Sequence, residues 1–158
     1  MTYLSAEFHP SGKLLLGTSN GKLVIYDLIL AKADGEPIRI GGMEQGVTKI
    51  QAFVNNEDNP IFLVIIDQKE LYLFNEKGRI CRQIDFGSEG KEYMLERICN
   101  IQISFNSKFF AVGIPDKRAL GIFKIDRTTL RVTPPTKWID KVSSLHLTHL
   151  VLICGLRR

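Results

Sequence analysis

Long apolar runs, paired cysteines and clustered histidines are all missing from this chain, and each absence closes a class of function. No stretch approaches the roughly 20 consecutive apolar residues that a spanning helix needs. Met1 to Ser5 has no basic leader start, so a soluble, non-secreted protein without a membrane partner is expected. Cys81, Cys99 and Cys154 are odd in number, far apart and without a Cys-x-x-Cys pair, which argues against a disulfide framework or a zinc ribbon. Each lies in an apolar, strand-like run, and buried, reduced thiols in a cytoplasmic or nuclear protein are predicted. His146 and His149 are three apart, a spacing that on a strand sends them to opposite faces, and His9 before Pro10 starts a β-turn. No metal site follows from them. No Gly-x-Ser-x-Gly elbow is present, and Gly12, Gly17 and Gly21 precede no helix, so neither a nucleophile nor a phosphate loop is assigned. The expectation is a non-enzyme without catalytic residues, cofactor or metal. Helical periodicity is also scarce: only Ser88 to Glu96, with Glu89, Glu92 and Glu96 at spacings of three and four, reads as a helix with a solvated face.

What the chain does contain is strands. At 158 residues, 44% hydrophobic and 24% charged, it has the size and composition of one globular domain. Ser5 to Leu28 reads as a three-stranded meander: a strand ending at Phe8, a His-Pro-Ser-Gly turn, a strand Lys13 to Thr18, a Ser-Asn-Gly turn and a strand Lys22 to Asp27. Its two later strands are nearly continuous apolar runs, the mark of strands buried on both faces. After a loop, Ile29 to Glu36, the alternating Pro37-Ile38-Arg39-Ile40 suits an outer strand with one wet face.

The pattern recurs. Val47 to Phe53, Ile61 to Ile66, Leu71 to Asn75 and the alternating Arg79 to Asp85 form a second unit. A third consists of Ile98 to Phe105, Phe109 to Ile114, Ala119 to Ile125 and a weak outer strand around Leu130 and Val132; Val142 to Thr148 and Leu150 to Cys154 begin a fourth. Phe8, Phe53 and Phe105 are expected to close the first strands, 45 and 52 residues apart, with Leu147 a further 42 on; Tyr26, Phe74 and Phe123 stand in the third strands at 48 and 49. Four strands at such a period are the form of a β-propeller blade. The fold class is therefore all-β: a partial propeller in a single domain over 1–158. Its blades fall at about 3–41, 46–86 and 97–133, with a partial fourth at about 141–155.

Phe8-His9-Pro10-Ser11-Gly12, Asn20-Gly21 and Tyr26-Asp27 resemble the Phe-x-Pro-x-Gly, Asp-Gly and Trp-Asp positions of a WD40 repeat. Phe74-Asn75 and Phe123-Lys124 stand at the Trp-Asp place in the later units, and no Gly-His pair precedes any blade, so the blades are divergent. The resemblance implies a non-catalytic scaffold for protein partners in a complex. Asn100 to Val112, with Lys117 to Asp126 and Val142 to Leu145, is similar to blades of the non-catalytic WD subunit of the tRNA guanine-N7 methyltransferase. That alternative implies support of a catalytic subunit and its tRNA. A propeller hydrolase is the remaining, enzymatic alternative.

The net charge of +4 is uneven: lysine and arginine stand 8 against 10 acids in residues 1–80 and 13 against 7 in residues 81–158. Lys124, Arg127, Arg131, Lys137 and Lys141 concentrate the excess, either as a solvated surface or as a site for RNA or another anionic partner. Trp138, the sole tryptophan, either anchors a partner there or packs over the blade edge. Three blades and two strands do not close a ring, so a shortened form of a longer propeller is expected, with Leu150 to Cys154 an apolar edge strand free to pair with another chain.

Overall fold

The structure, a computed structural model, describes residues 1–142. Apart from two short 3₁₀ helices, its regular elements are all β-strands. The chain divides into two compact units, Met1–Gln83 and Ile84–Arg158.

The first unit holds two antiparallel meanders. One runs β1 (Tyr3–Phe8), β2 (Leu14–Thr18), β3 (Lys22–Asp27), β4 (Lys32–Ala33) and β5 (Ile38–Arg39). The other runs β6 (Val47–Val54), β7 (Pro60–Ile66), β8 (Glu70–Asn75) and β9 (Ile80–Gln83). The second unit holds a third meander, β10 (Asn100–Ile103), β11 (Phe109–Ile114), β12 (Ala119–Ile125) and β13 (Val132–Thr133). The fold is thus all-β and built of repeated, propeller-like four-stranded sheets. The strands expected over 142–148 and 150–154, including the apolar edge, lie outside the described residues apart from Val142, as do His146, His149 and Cys154.

Pairing register supplies the true repeat. Leu14 faces Tyr26, Phe62 faces Phe74 and Phe110 faces Phe123, so the middle strands repeat every 48 residues. Of the phenylalanines expected to close the first strands, Phe8 does so, Phe53 stands one residue before the end of β6, and Phe105 lies beyond β10. The first-strand partners of Leu14, Phe62 and Phe110 are Phe8, Ala52 and Ile103. Five residues separate the first two strands in each sheet, 9–13, 55–59 and 104–108, so the difference lies in where each first strand ends and not in the turn. Phe53 is buried, whereas Phe8 is 64% exposed and Phe105, beyond the end of β10, is fully exposed.

The outer strand of the first sheet is also corrected. β3 pairs along its far edge with two short pieces: Lys32–Ala33 opposite Asp27 and Tyr26, and Ile38–Arg39 opposite Lys22 and Leu23. Gly35, with a φ of +81°, and Pro37, which has no N–H to donate, interrupt the ladder between them.

Within the first unit the two sheets meet face to face. Leu15 and Leu23 of the first sheet pack with Val47, Ile50, Phe62, Val64, Ile66 and Phe74 of the second. Leu63, Ile65 and Leu73, on the opposite face of the second sheet, are buried as well, as the continuous apolar run requires. The approach is close at Gly17. A Cβ there would lie 2.6 Å from Val47 Cγ1 and against Ser5 Oγ, and the Ser5 hydroxyl donates to the Val47 carbonyl at 2.8 Å. Glu7 and Gln51 add a hydrogen bond between the same two strands.

His9 occupies the first turn as expected, its carbonyl accepting from Gly12 N–H at 2.8 Å. Its Nδ1 accepts from Ser11 N–H at 3.1 Å, and the ring lies 5.7 Å from that of Phe62. Burial chiefly pushes the imidazole below its ordinary pKa; the Lys13 charge acts in the same direction and the Glu76 carboxylate opposes it. Nε2 is buried and has no hydrogen-bond partner among the described residues.

Two outcomes follow for this unit. Gly17→Val should cost about 1–3 kcal/mol by overpacking, read from urea unfolding, while Gly35→Ala, which meets nothing within 4 Å but strains a positive φ, should leave the sheet packing intact. For His9 the folded state disfavours the proton. Its contribution is full above about pH 6.5 and is lost as the pH falls through the lowered folded value. His9→Asn should flatten the stability loss between about pH 7 and 5; an unchanged slope would contradict the assignment.

Candidate functional site

The basic stretch belongs to the outer margin of the third sheet, and an aromatic cluster places it there. Phe110 and Phe123, paired across β11 and β12, stack at 4.8 Å with planes 9° apart. Phe86 meets Phe123 at 5.6 Å, and Trp138 meets Phe86 at 5.4 Å, Phe123 at 5.9 Å and Tyr93 at 4.4 Å. Two glycines make room for the indole. A Cβ on Gly121 or on Gly90 would come within 2.8 Å of it.

Trp138 is 4% exposed. The indole as a partner anchor is therefore corrected: its area is spent on Phe86, Tyr93 and Phe123, and packing is the reading the structure supports. Tyr93 ends the 3₁₀ helix Ser88–Tyr93, which replaces the longer helix expected to Glu96. Gly90, costly in an α-helix, sits in the middle of it against the tryptophan. Tyr93 OH donates to Asp140 Oδ1 at 3.0 Å. Burial first, then the hydrogen bonds to Asp140 and Glu92, push the phenol up to about 12.

The basic side chains do not form one patch. Lys124, Arg127 and Arg131 gather at the β12–β13 turn, where Asp126 N–H donates to the Arg131 carbonyl at 2.9 Å. Asp126 itself accepts from Thr128 N–H at 2.9 Å and Thr129 N–H at 3.3 Å, and those bonds hold its carboxyl below the usual range. Lys137 and Lys141 lie at the opposite end of β12, because Ile139 pairs with Leu120 near the start of that strand. There Lys137, Trp138, Ile139, Asp140 and Lys141 line a depression of about 590 Å³. Arg118, exposed beside Lys141, joins this second group; sequence proximity to the basic stretch could not have found it, since it lies in the preceding turn.

The cysteine expectation fails in part. Cys99 is exposed and Cys81 half-buried. Cys99 precedes β10 rather than belonging to it, and its Sγ lies 3.6 Å from the Gly113 carbonyl. Among the described residues no group of three or more His, Cys, Asp or Glu side chains could hold a metal, and no helix is long and apolar enough to cross a membrane. No known protein family and no curated protein matches this chain.

Trp138 is the only tryptophan, so emission reports its surroundings alone. A blue-shifted spectrum resistant to iodide is expected, and Trp138→Ala should cost about 3–5 kcal/mol; red, quenchable emission in the folded chain would refute the burial.

Proposed function

We propose that the chain is a non-catalytic interaction module of WD40-repeat type, whose sheets hold loops and edges for protein partners in a complex. The observation that carries this reading is large apolar side chains exposed on turns that are internally bonded. Asp27 Oδ1 accepts from the N–H groups of Ile29 and Leu30, both at 2.9 Å, while those two side chains stand in solvent. Phe105 stands fully exposed in a turn where Asn106 Oδ1 accepts from Lys108 N–H at 3.1 Å and Ser104 Oγ accepts from Phe109 N–H at 3.0 Å. Ordered turns that keep such groups in water carry a hydration cost that a partner would relieve.

A second reading, support of a tRNA-modifying enzyme, is favoured by the gathering of Lys124, Arg127 and Arg131 at one turn. It requires tRNA binding that weakens steeply with salt through counterion release; no binding at low salt removes it.

The module reading is tested by quantitative affinity capture with the full chain and with an Ile29→Asp, Leu30→Asp, Phe105→Ser variant. The variant should keep its thermal midpoint and lose partners that the parent retains. Identical captured sets would defeat the reading.

A further inference from the structure

Beyond β13 the outer margin of the third sheet ends in a short paired stretch with an unusual register. Ile139 and Leu120 exchange both main-chain hydrogen bonds at 2.9 Å. Three residues later Val142 donates to the Arg118 carbonyl at 3.0 Å, although Arg118 is only two residues from Leu120. The outer strand therefore carries one extra residue, a bulge, and Lys141 accommodates it with a φ of 62°. Arg118, alongside, has a φ of 50°.

Because Ile139 bonds toward β12, the N–H and C=O groups of Trp138 and Asp140 point to the other side of the strand. No strand pairs with them among the described residues. The exposed side chains here are Arg118, Lys137, Asp140, Lys141 and, between the lysines, Ile139 at 48%. Cations just inside this edge are matched, Arg97 with Asp116 at 3.4 Å and Lys117 with Glu96 at 3.3 Å. Arg118, Lys137 and Lys141 have no ion pair among the described residues, and Asp140 is engaged by the Tyr93 hydroxyl. Trp138, packed between glycines, holds the strand in place before any partner arrives.

We infer that this edge binds an extended acidic segment of a partner protein by strand addition. The segment's main chain pairs with Trp138 and Asp140, its carboxylates meet Arg118, Lys137 and Lys141, and an apolar residue between them covers Ile139. Lysines on an open edge reject neutral and basic strands; the same lysines admit an acidic one. A nucleic acid would use the cations and leave both the main-chain edge and Ile139 unanswered. The inference rests on the interaction-module reading and narrows it to one partner chemistry.

The test uses the full chain and a short fluorescent peptide of alternating glutamate and valine. Comparison probes are its alternately N-methylated form, its lysine–valine counterpart and a labelled single-stranded oligonucleotide. Binding to the glutamate peptide is expected, with a loss of about tenfold or more in K137E/K141E and on N-methylation, while tryptophan emission stays unchanged. Equal binding of the N-methylated peptide, no loss in K137E/K141E, or tighter binding of the oligonucleotide would overturn strand addition. Failure here with partner capture still dependent on Ile29, Leu30 and Phe105 removes this edge and leaves the module reading standing.

Discussion

Strands apolar on both faces cannot stand alone in water, and that constraint organises the whole chain. In β7 every residue from Ile61 to Ile66 is buried. A single meander can cover only one of those faces by its own turns and loops, so sheets must be laid on other structure. In the first unit this is seen directly: Leu15 and Leu23 of one sheet meet Phe62, Val64 and Ile66 of the next. Burying such side chains stabilises by about 1.5–3 kcal/mol each, far more than any surface ion pair contributes. Gly17 is where the constraint becomes exacting, because the chain approaches Val47 too closely there for any side chain.

The second unit meets the same demand by different means. Its third sheet packs Ala111 and Leu120 with Ile122 and adds an aromatic cluster, Phe110 and Phe123 stacked, with Phe86, Tyr93 and Trp138 gathered around them. Aromatic pairs of this kind add about 0.5–1.5 kcal/mol beyond their buried area. Trp138 thereby ties the irregular stretch after β13 back to the sheet. Packing at one residue fixes the main chain of its neighbours, and so decides which cations share an edge.

The parts of the fold that were legible in the sequence are those governed by side-chain periodicity. Lys22 to Asp27, Phe109 to Ile114 and Ala119 to Ile125 match their strands residue for residue, since an uninterrupted apolar run bounded by turns leaves little choice. Tyr26, Phe74 and Phe123 identified the repeat because third strands pair with middle strands across short turns. Phe8 does close its strand, whereas Phe53 and Phe105 misled, since β6 runs one residue past Phe53 and β10 stops two before Phe105, and a strand residue shifted by one faces the other way. The split outer strand was hidden for a related reason: Lys32–Ala33 is too short to show periodicity. Cys99 was misplaced because an apolar neighbour, Ile98, does not extend a strand whose pairing begins at Asn100.

Charge was the least legible property, and the reason is geometric. Composition places the basic excess in residues 81–158 but cannot separate cations that are neutralised from those that are not. Lys117 and Arg97, neighbours of the edge, are matched by Glu96 and Asp116. Lys124 and Lys137 look adjacent along the chain, yet antiparallel return of the strand carries them to opposite ends of β12. Arg118 is distant from Lys141 in sequence and beside it in space, because Val142 pairs back to it through the bulge. What stands together in space is this second grouping around Ile139, produced by one buried tryptophan and one extra residue in a strand, and neither could be weighed from the count of lysines and arginines.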